Sequence, residues 1–394
     1  MTTTETTTDQ PTTIIAAMLL ACMGVFGLLA GPVMTELLVA GMGLPAASAG
    51  KIFAVEALGT ALAPLVATLW MSRVSWRRAA AFAALVVILG NLASSYQTSA
   101  SSLTILRFVV GFFGQGTAFA LSMAIVSGTR NKDRNFAFLI AAQVVLGVVC
   151  FLVLPMHLPV FPANGVGGVL MPLAALAVVA LLTTGWIPQS GSAGGHHAGS
   201  GGAGGGSAGP ALVALLIMLI WCTGLGSIWA FVKLIGTSAG LESTRVGLAL
   251  GISTATGALG AFAASALADR VGRIIPVTVA LLVQVVMISQ LQGELSFQQF
   301  AVTAAVFQFF WNLNGPYLMG TVALSDTTGK ISLLIPTAQI GGFFLGPMIV
   351  AGLMKANGLK SANMVAIVCC LVALAIFIPT ALRLKRRLAA AQGS

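Results

Sequence analysis

The sequence predicts an all-α polytopic membrane protein, on three observations. Of its 394 residues 58% are apolar and only 7% are Asp, Glu, Lys or Arg, where an ordinary soluble domain has roughly 25% charged residues. So few charges cannot cover the surface of a soluble fold of this size. The apolar residues come in runs near the roughly 20 that a helix needs to cross the hydrocarbon. The alternating pattern of a membrane β-barrel is absent. Lipid offers no partner for free backbone groups, so the runs must be helices. Together these exclude a cytosolic enzyme, a nucleic-acid-binding protein and a disordered chain.

Breaks fall where charges, Pro, Gly and Asn cluster. They predict twelve spans: 13–40, 47–71, 79–96, 103–127, 136–158, 165–187, 210–235, 246–268, 274–291, 300–324, 331–354 and 362–382. Residues 1–12 are polar and lack a basic leading segment, so they are expected to be a disordered tail and not a signal peptide. Residues 188–209 are rich in Gly and Ser and form a flexible linker. That linker divides the chain into six-helix segments over 13–187 and 210–382, with a basic tail at 383–394. His196 and His197 lie in the linker and read as solvated residues, without further ligands for a metal.

The net charge of +10 does not mark a nucleic-acid partner, because the basic residues cluster between the apolar runs. With the N-terminus in the cytoplasm, thirteen of the nineteen Lys and Arg fall in inner loops and the C-terminal tail. Lys51, Arg245, Lys355 and Lys360 fall outside, and Arg107 and Lys233 within spans. This bias places both termini in the cytoplasm of a multi-pass cell-membrane protein. Cys22, Cys150, Cys222, Cys369 and Cys370 all lie in apolar segments. They read as small core hydrophobes, with no disulfide framework.

The two halves repeat. Ser72-Arg73-Val74-Ser75-Trp76-Arg77-Arg78 follows span two, and Asp269-Arg270-Val271-Gly272-Arg273 follows span eight. Lys51 and Arg245 precede those spans in turn. A duplicated bundle around a membrane-normal axis is a common transporter build. Ser265-Ala266-Leu267-Ala268-Asp269-Arg270-Val271-Gly272-Arg273 resembles the major facilitator loop signature G-x-L-A-D-R-x-G-R-R. It departs at the first Gly and the last basic position, and the first-half copy has Ser72 in place of Asp. Arg107 to Gly111 resembles the superfamily's R-x-x-x-G motif. Gly342 to Pro347 resembles a G-x-x-x-G-P element of drug-exporting branches. The antiporter motif of span five is not matched, since no Gly-Pro pair follows Gly147. The resemblance implies a major facilitator fold of two pseudo-symmetric six-helix bundles. It also implies a conformational latch of Arg73, Asp269, Arg270 and Arg273, which plain lipid anchoring explains equally well.

Ionisable groups in a bilayer cost about 2.5–3.5 kcal/mol each on insertion scales and are functional candidates by default. Glu56 is the deepest carboxylate, roughly 13 Å into span two at 1.5 Å per residue. A Glu that moves between wet and dry surroundings can take up and release a proton; the alternative is a static ion pair. Glu36, about 6 Å deep, shares a face with Pro32 and is a coupling or a vestibule residue. Arg107 begins a face continued by Gly111, Gly114 and Gln115. The resemblance implies that Arg107 tunes a nearby carboxylate, Glu36 or Glu56. Lys233 shares a face with Trp229 and either binds an anionic group or snorkels to the interface, the latter slightly favoured. In span ten Gln308, Trp311 and Asn312 fall on one face, and Gly315-Pro316 loosens the helix. An aromatic ring with amides suits a neutral or zwitterionic organic ligand, although packing alone would use the same residues. Gln143 and Gln339 are further amides of this kind. Asp326 reads as a loop residue beside Lys330, and His157 has no partner nearby.

No phosphate loop, metalloprotease motif or nucleophile elbow occurs. The chain is therefore read as a transporter and not an enzyme, with no cofactor and no metal. Its expected partners are a small organic substrate, protons and membrane lipids, with no nucleic acid, and the protein is expected to be a monomer. The expected activity is proton-coupled efflux. Two other readings stay open: proton-linked uptake of an organic anion, with Arg107 and Lys233 as counter-charges, and a non-transporting membrane sensor of the same fold.

Overall fold

The computed structural model describes residues 9–154, 166–189, 208–267, 271–326 and 331–392. These are helical throughout, with no strand among them. The chain divides into two compact units, Met1–His196 and His197–Ser394.

The first unit contains α1 (Pro11–Leu29), α2 (Gly31–Ala40), α3 (Ala46–Trp70), α4 (Trp76–Ser95) and α5 (Ala100–Val109). A π-helical turn, Val110–Gly116, then joins α5 to α6 (Thr117–Ser127), followed by α7 (Lys132–Val153) and α8 (Gly167–Leu182). The second unit contains α9 (Gly209–Trp229), α10 (Val232–Ser238), α11 (Ser243–Leu267) and α12 (Ile274–Ser289). It ends with α13 (Phe297–Ser325), α14 (Ile335–Asn357) and α15 (Lys360–Gln392).

Among the described residues nine helices are long and apolar enough to cross a membrane. Helices α8 and α12, at the sixth and ninth predicted spans, have 16 residues each. Helix α13, at the tenth, has 29 residues, but its amides lower its hydropathy. Twelve spans is thus what the sequence leads one to expect, and length with apolarity supports nine.

The packing inside one unit is repeated inside the other. In the first, α3 lies along α5 and the π turn, α1 along α6 and α7, and α4 along α8. In the second, α11 lies along α13, α9 along α14 and α15, and α12 along α15. Small residues allow these approaches. A Cβ on Gly226 would stand 2.7 Å from Phe343 Cα, and one on Gly342 would stand 2.5 Å from the Cys222 carbonyl carbon. Gly346 faces the backbone of Thr223 and Ser227 in the same way. The Gly342 to Pro347 element therefore seats α14 on α9.

Several expected boundaries move. Helix α1 begins at Pro11, where Pro fits the first turn. Asp9, expected in a disordered tail, accepts a hydrogen bond from the Arg130 backbone N–H at 2.8 Å. The first span is broken at Ala30, ahead of Pro32, and the seventh at Ala230–Phe231. Each half therefore opens with a long helix followed by a short one. Helix α15 continues to Gln392, so most of the expected basic tail extends the last span. Asp326 lies just past α13, outside the helix as expected, and its Oδ2 accepts from Ser332 N at 2.8 Å and Ser332 Oγ at 2.9 Å.

Candidate functional site

The first unit holds a polar cluster built on α3. Close approach of α3 to the helix carrying Arg107 makes it possible. Gly111 faces the Glu56 carbonyl, with no room for a Cβ, and a Cβ on Gly59 would stand 2.7 Å from Phe108 O. At that crossing Glu56 is 5% exposed and Arg107 is 1% exposed. Arg107 Nη1 lies 3.6 Å from Glu56 Oε1. Gln115 Nε2 donates to the same oxygen at 2.9 Å. The π turn adds residues between Arg107 and Gln115 relative to a regular α-helix, yet both side chains reach one carboxylate. Such turns occur frequently at functional sites.

Asn91 completes the cluster from α4. Its Oδ1 accepts from Arg107 Nη2 at 2.9 Å, and its Nδ2 donates to Val87 O at 2.7 Å. Both amide ends are thus committed, and the guanidinium is held between Asn91 and Glu56. Helix α1 covers the other side. A Cβ on Gly27 would collide with Glu56 Oε1 and stand 2.9 Å from the Gln115 amide. Sequence reasoning found Glu56, Arg107 and Gln115 but missed Asn91 and Gly27. The lone amide in an apolar third span was a usable signal for Asn91. Gly27 had none, being one of two glycines in its helix.

Glu36 is buried on α2, after the break, while the ion pair of Arg107 is to Glu56. Gln143 on α7 is half-buried and no contact joins it to this cluster. Arg73, in the turn after α3, is exposed, and its side chain donates to Leu69 O of α3 at 3.5 Å.

In the second unit Trp311 is the hub of an aromatic cluster. Its ring is 5.4 Å from Trp229 at 89°, 6.1 Å from Phe307 and 5.6 Å from Phe343 at 32°. Phe343 was not anticipated as a member. The amides take another direction. A Cβ on Gly257 of α11 would stand 2.6 Å from Asn312 Nδ2 and 3.0 Å from Gln308 Cγ. Asn312 Nδ2 donates to Gln308 O at 3.0 Å. Trp311 thus contacts α9 and α14, and the two amides contact α11. Gln339 on α14 is half-buried. Trp221 Nε1 donates to Gln284 Oε1 at 3.0 Å in the interior of the unit, a pair the sequence reading did not single out.

Lys233 is 0% exposed. The expectation that it snorkels to the interface is overturned, because the whole side chain is enclosed. Trp229 and Lys233 also stand on opposite sides of the break between α9 and α10, so they share no continuous helical face.

Of the expected latch, Asp269 and Arg270 lie outside the described residues, as do His157, His196, His197 and Lys330. Arg273 Nη1 lies 3.4 Å from Tyr317 O, and its guanidinium packs where a Cβ on Gly320 would be. Burial lowers the Arg273 pKa from its ordinary value, with Tyr317 opposing.

The sequence matches the family described as Major Facilitator Superfamily over residues 14–304. None of the curated proteins matches it significantly. Solved structures share its fold at low identity. A nucleoside transporter, NupG, superposes with a TM-score of 0.69 at 11% identity, covering 95% of this chain and 98% of that one. A D-xylose-proton symporter gives 0.70 at 12%, covering 92% and 96%. A POT family transporter in complex with 5-aminolevulinic acid gives 0.72 at 11%, covering 93% and 96%.

Proposed function

Because the chain belongs to the major facilitator superfamily, we propose that it exports a small organic molecule in exchange for protons, by alternating access. It is a membrane transporter and not an enzyme, as the family and the shared fold indicate. Direction and coupling ion are our reading.

The observation that carries proton coupling is the buried carboxylate of Glu56, with Arg107 3.6 Å and Gln115 2.9 Å from one oxygen. Taking two charges out of water costs several kcal/mol per ion, so such a pair is weak evidence for stability alone. A chain retaining it in a membrane-embedded bundle gains where the charge changes during the cycle. Protonation of Glu56 removes the charge opposite Arg107, and Asn91 keeps the guanidinium in place meanwhile. Glu36 serves as a second acid nearer the outer end. One protein of similar structure is a D-xylose-proton symporter, which supports this reading.

Substrate recognition is assigned to Trp311 and Trp229 with Gln308 and Asn312 in the second unit. Rings and amides suit a neutral or zwitterionic organic compound. Export is favoured by the resemblance of Gly342 to Pro347 to drug-exporting branches, and an anionic substrate is disfavoured because Glu56 already offsets the charge of Arg107. Arg73, Asp269, Arg270 and Arg273 form the conformational latch. The protein acts as a monomer in the cell membrane, among lipids, with both termini cytoplasmic and no nucleic-acid partner.

The test is flux in proteoliposomes of a compound that stabilises the purified protein, under an imposed pH gradient. Glu56→Gln keeps the Gln115 hydrogen bond and deletes the charge. It should abolish gradient-driven flux while retaining exchange of substrate for substrate without a gradient. Wild-type flux with the same pH dependence in this variant would refute the coupling.

A further inference from the structure

The second unit carries a cavity lined by none of the residues assigned above. Three connections meet at one of its ends: the end of α10, the turn between α12 and α13, and the turn between α14 and α15. Between them lies a cavity of about 670 Å³, within the 300–1,000 Å³ typical of ligand pockets. The connections are fixed to one another. Leu295 N donates to Ala239 O at 3.5 Å. Asn363 Nδ2 donates to Leu291 O at 2.7 Å and Ile288 O at 3.2 Å, tying α15 to the end of α12. Gly293 and Gly358 make the two turns at φ +72° and +57°, conformations that other residues rarely adopt.

The lining has two parts. Ile235, Leu291, Leu359 and Met364 give it apolar walls, and Glu294 and Lys360 add one charge of each sign. Those two charges are exposed, and neither makes an ion pair or a side-chain hydrogen bond among the described residues. They line one cavity without an ion pair between them. A carboxylate and an ammonium that share a cavity unpaired are complementary to a molecule carrying both opposite charges.

We propose that this cavity binds a compact zwitterion, in which a primary ammonium meets Glu294 and a phosphate or carboxylate meets Lys360. Two sources offer that chemistry: the headgroup of phosphatidylethanolamine, and a free solute such as O-phosphoethanolamine. The site is separate from Glu56 and from Trp311, so it does not depend on proton coupling.

The experiment is thermal unfolding of the full-length protein in detergent, with each probe added in turn. O-phosphoethanolamine or phosphatidylethanolamine should raise the melting temperature saturably. Stabilisation by the soluble probe assigns a free solute as sufficient, and stabilisation by the lipid alone assigns the headgroup. Glu294→Gln and Lys360→Gln change exposed residues, and each should raise the half-saturating concentration by about ten-fold, on the order of one charge-assisted contact. The double variant should not respond, and its ligand-free melting temperature should match wild type. Phosphatidylglycerol, which lacks the ammonium, should respond equally in wild type and Glu294→Gln. No stabilisation by either zwitterion, or an undiminished response in the double variant, would overturn the proposal.

Discussion

Asn91 decides whether Arg107 can serve Glu56. A buried guanidinium with one acceptor would rotate towards it; with two, 2.9 Å to Asn91 and 3.6 Å to Glu56, it is held. Asn91→Leu would leave the Nη2 end of Arg107 buried without an acceptor. Such a group costs about 1–3 kcal/mol, so the melting temperature of the purified protein should fall. Asn91→Asp should fall less, because it keeps an acceptor, and it should weaken pH-gradient-driven flux by competing with Glu56 for the same cation. If Asn91→Leu is as stable as wild type, the guanidinium does not depend on Asn91. At this scale the charges were legible in the sequence, since an ionisable residue in an apolar run stands out by its insertion cost. Their neutral supports were not. Gly27 matters only because the carboxylate stands where its Cβ would be, a fact set by how α1 crosses α3.

Helices in this fold are placed by what they lack. Gly342 and Gly346 remove side chains where α14 meets α9, and each would collide there with backbone atoms. Backbone cannot step aside as a flexible side chain can. Gly346→Leu should therefore separate the two helices and give little folded protein, whereas Gly352→Ala, with nothing within 4 Å of its Cβ position, should leave yield and melting temperature unchanged. Comparable yields for the two, measured by size-exclusion chromatography in detergent, would show that the Gly-x-x-x-Gly element is not a packing device. The apolar runs announced most helices, because length and hydropathy are properties of sequence alone. The interruptions did not announce themselves. Pro32 hinted at the break between α1 and α2, but Ala230–Phe231 contains neither Pro nor Gly. The π turn carries three glycines among its seven residues, and hydropathy does not distinguish it from an α-helix. Helical spacing put Gln308, Trp311 and Asn312 on one face, but it could not say which neighbours they meet: the rings of α9 and α14 take Trp311, and α11 takes the amides.

The duplication extends further than the loops that revealed it. Glu36 precedes Arg73 by as many residues as Lys233 precedes Arg270. Both lie on the short helix after a break, and both are buried. One half thus carries an acid where the other carries a base. The carboxylate cluster likewise belongs to the first unit and the aromatic cluster to the second. Orientation is the remaining property of the whole molecule that charge can decide. On the proposed orientation the inner side gathers most of the Lys and Arg, as the positive-inside bias favours. Arg78, after α3, and Lys355, at the end of α14, are both exposed and fall on opposite sides under that bias. Four of the five native cysteines are buried and Cys369 is half-buried, so background labelling should be low. In intact cells a membrane-impermeant maleimide should label Lys355→Cys, and should label Arg78→Cys only after the membrane is permeabilised. The opposite pattern would reverse the orientation, and the inner and outer assignment of every loop with it.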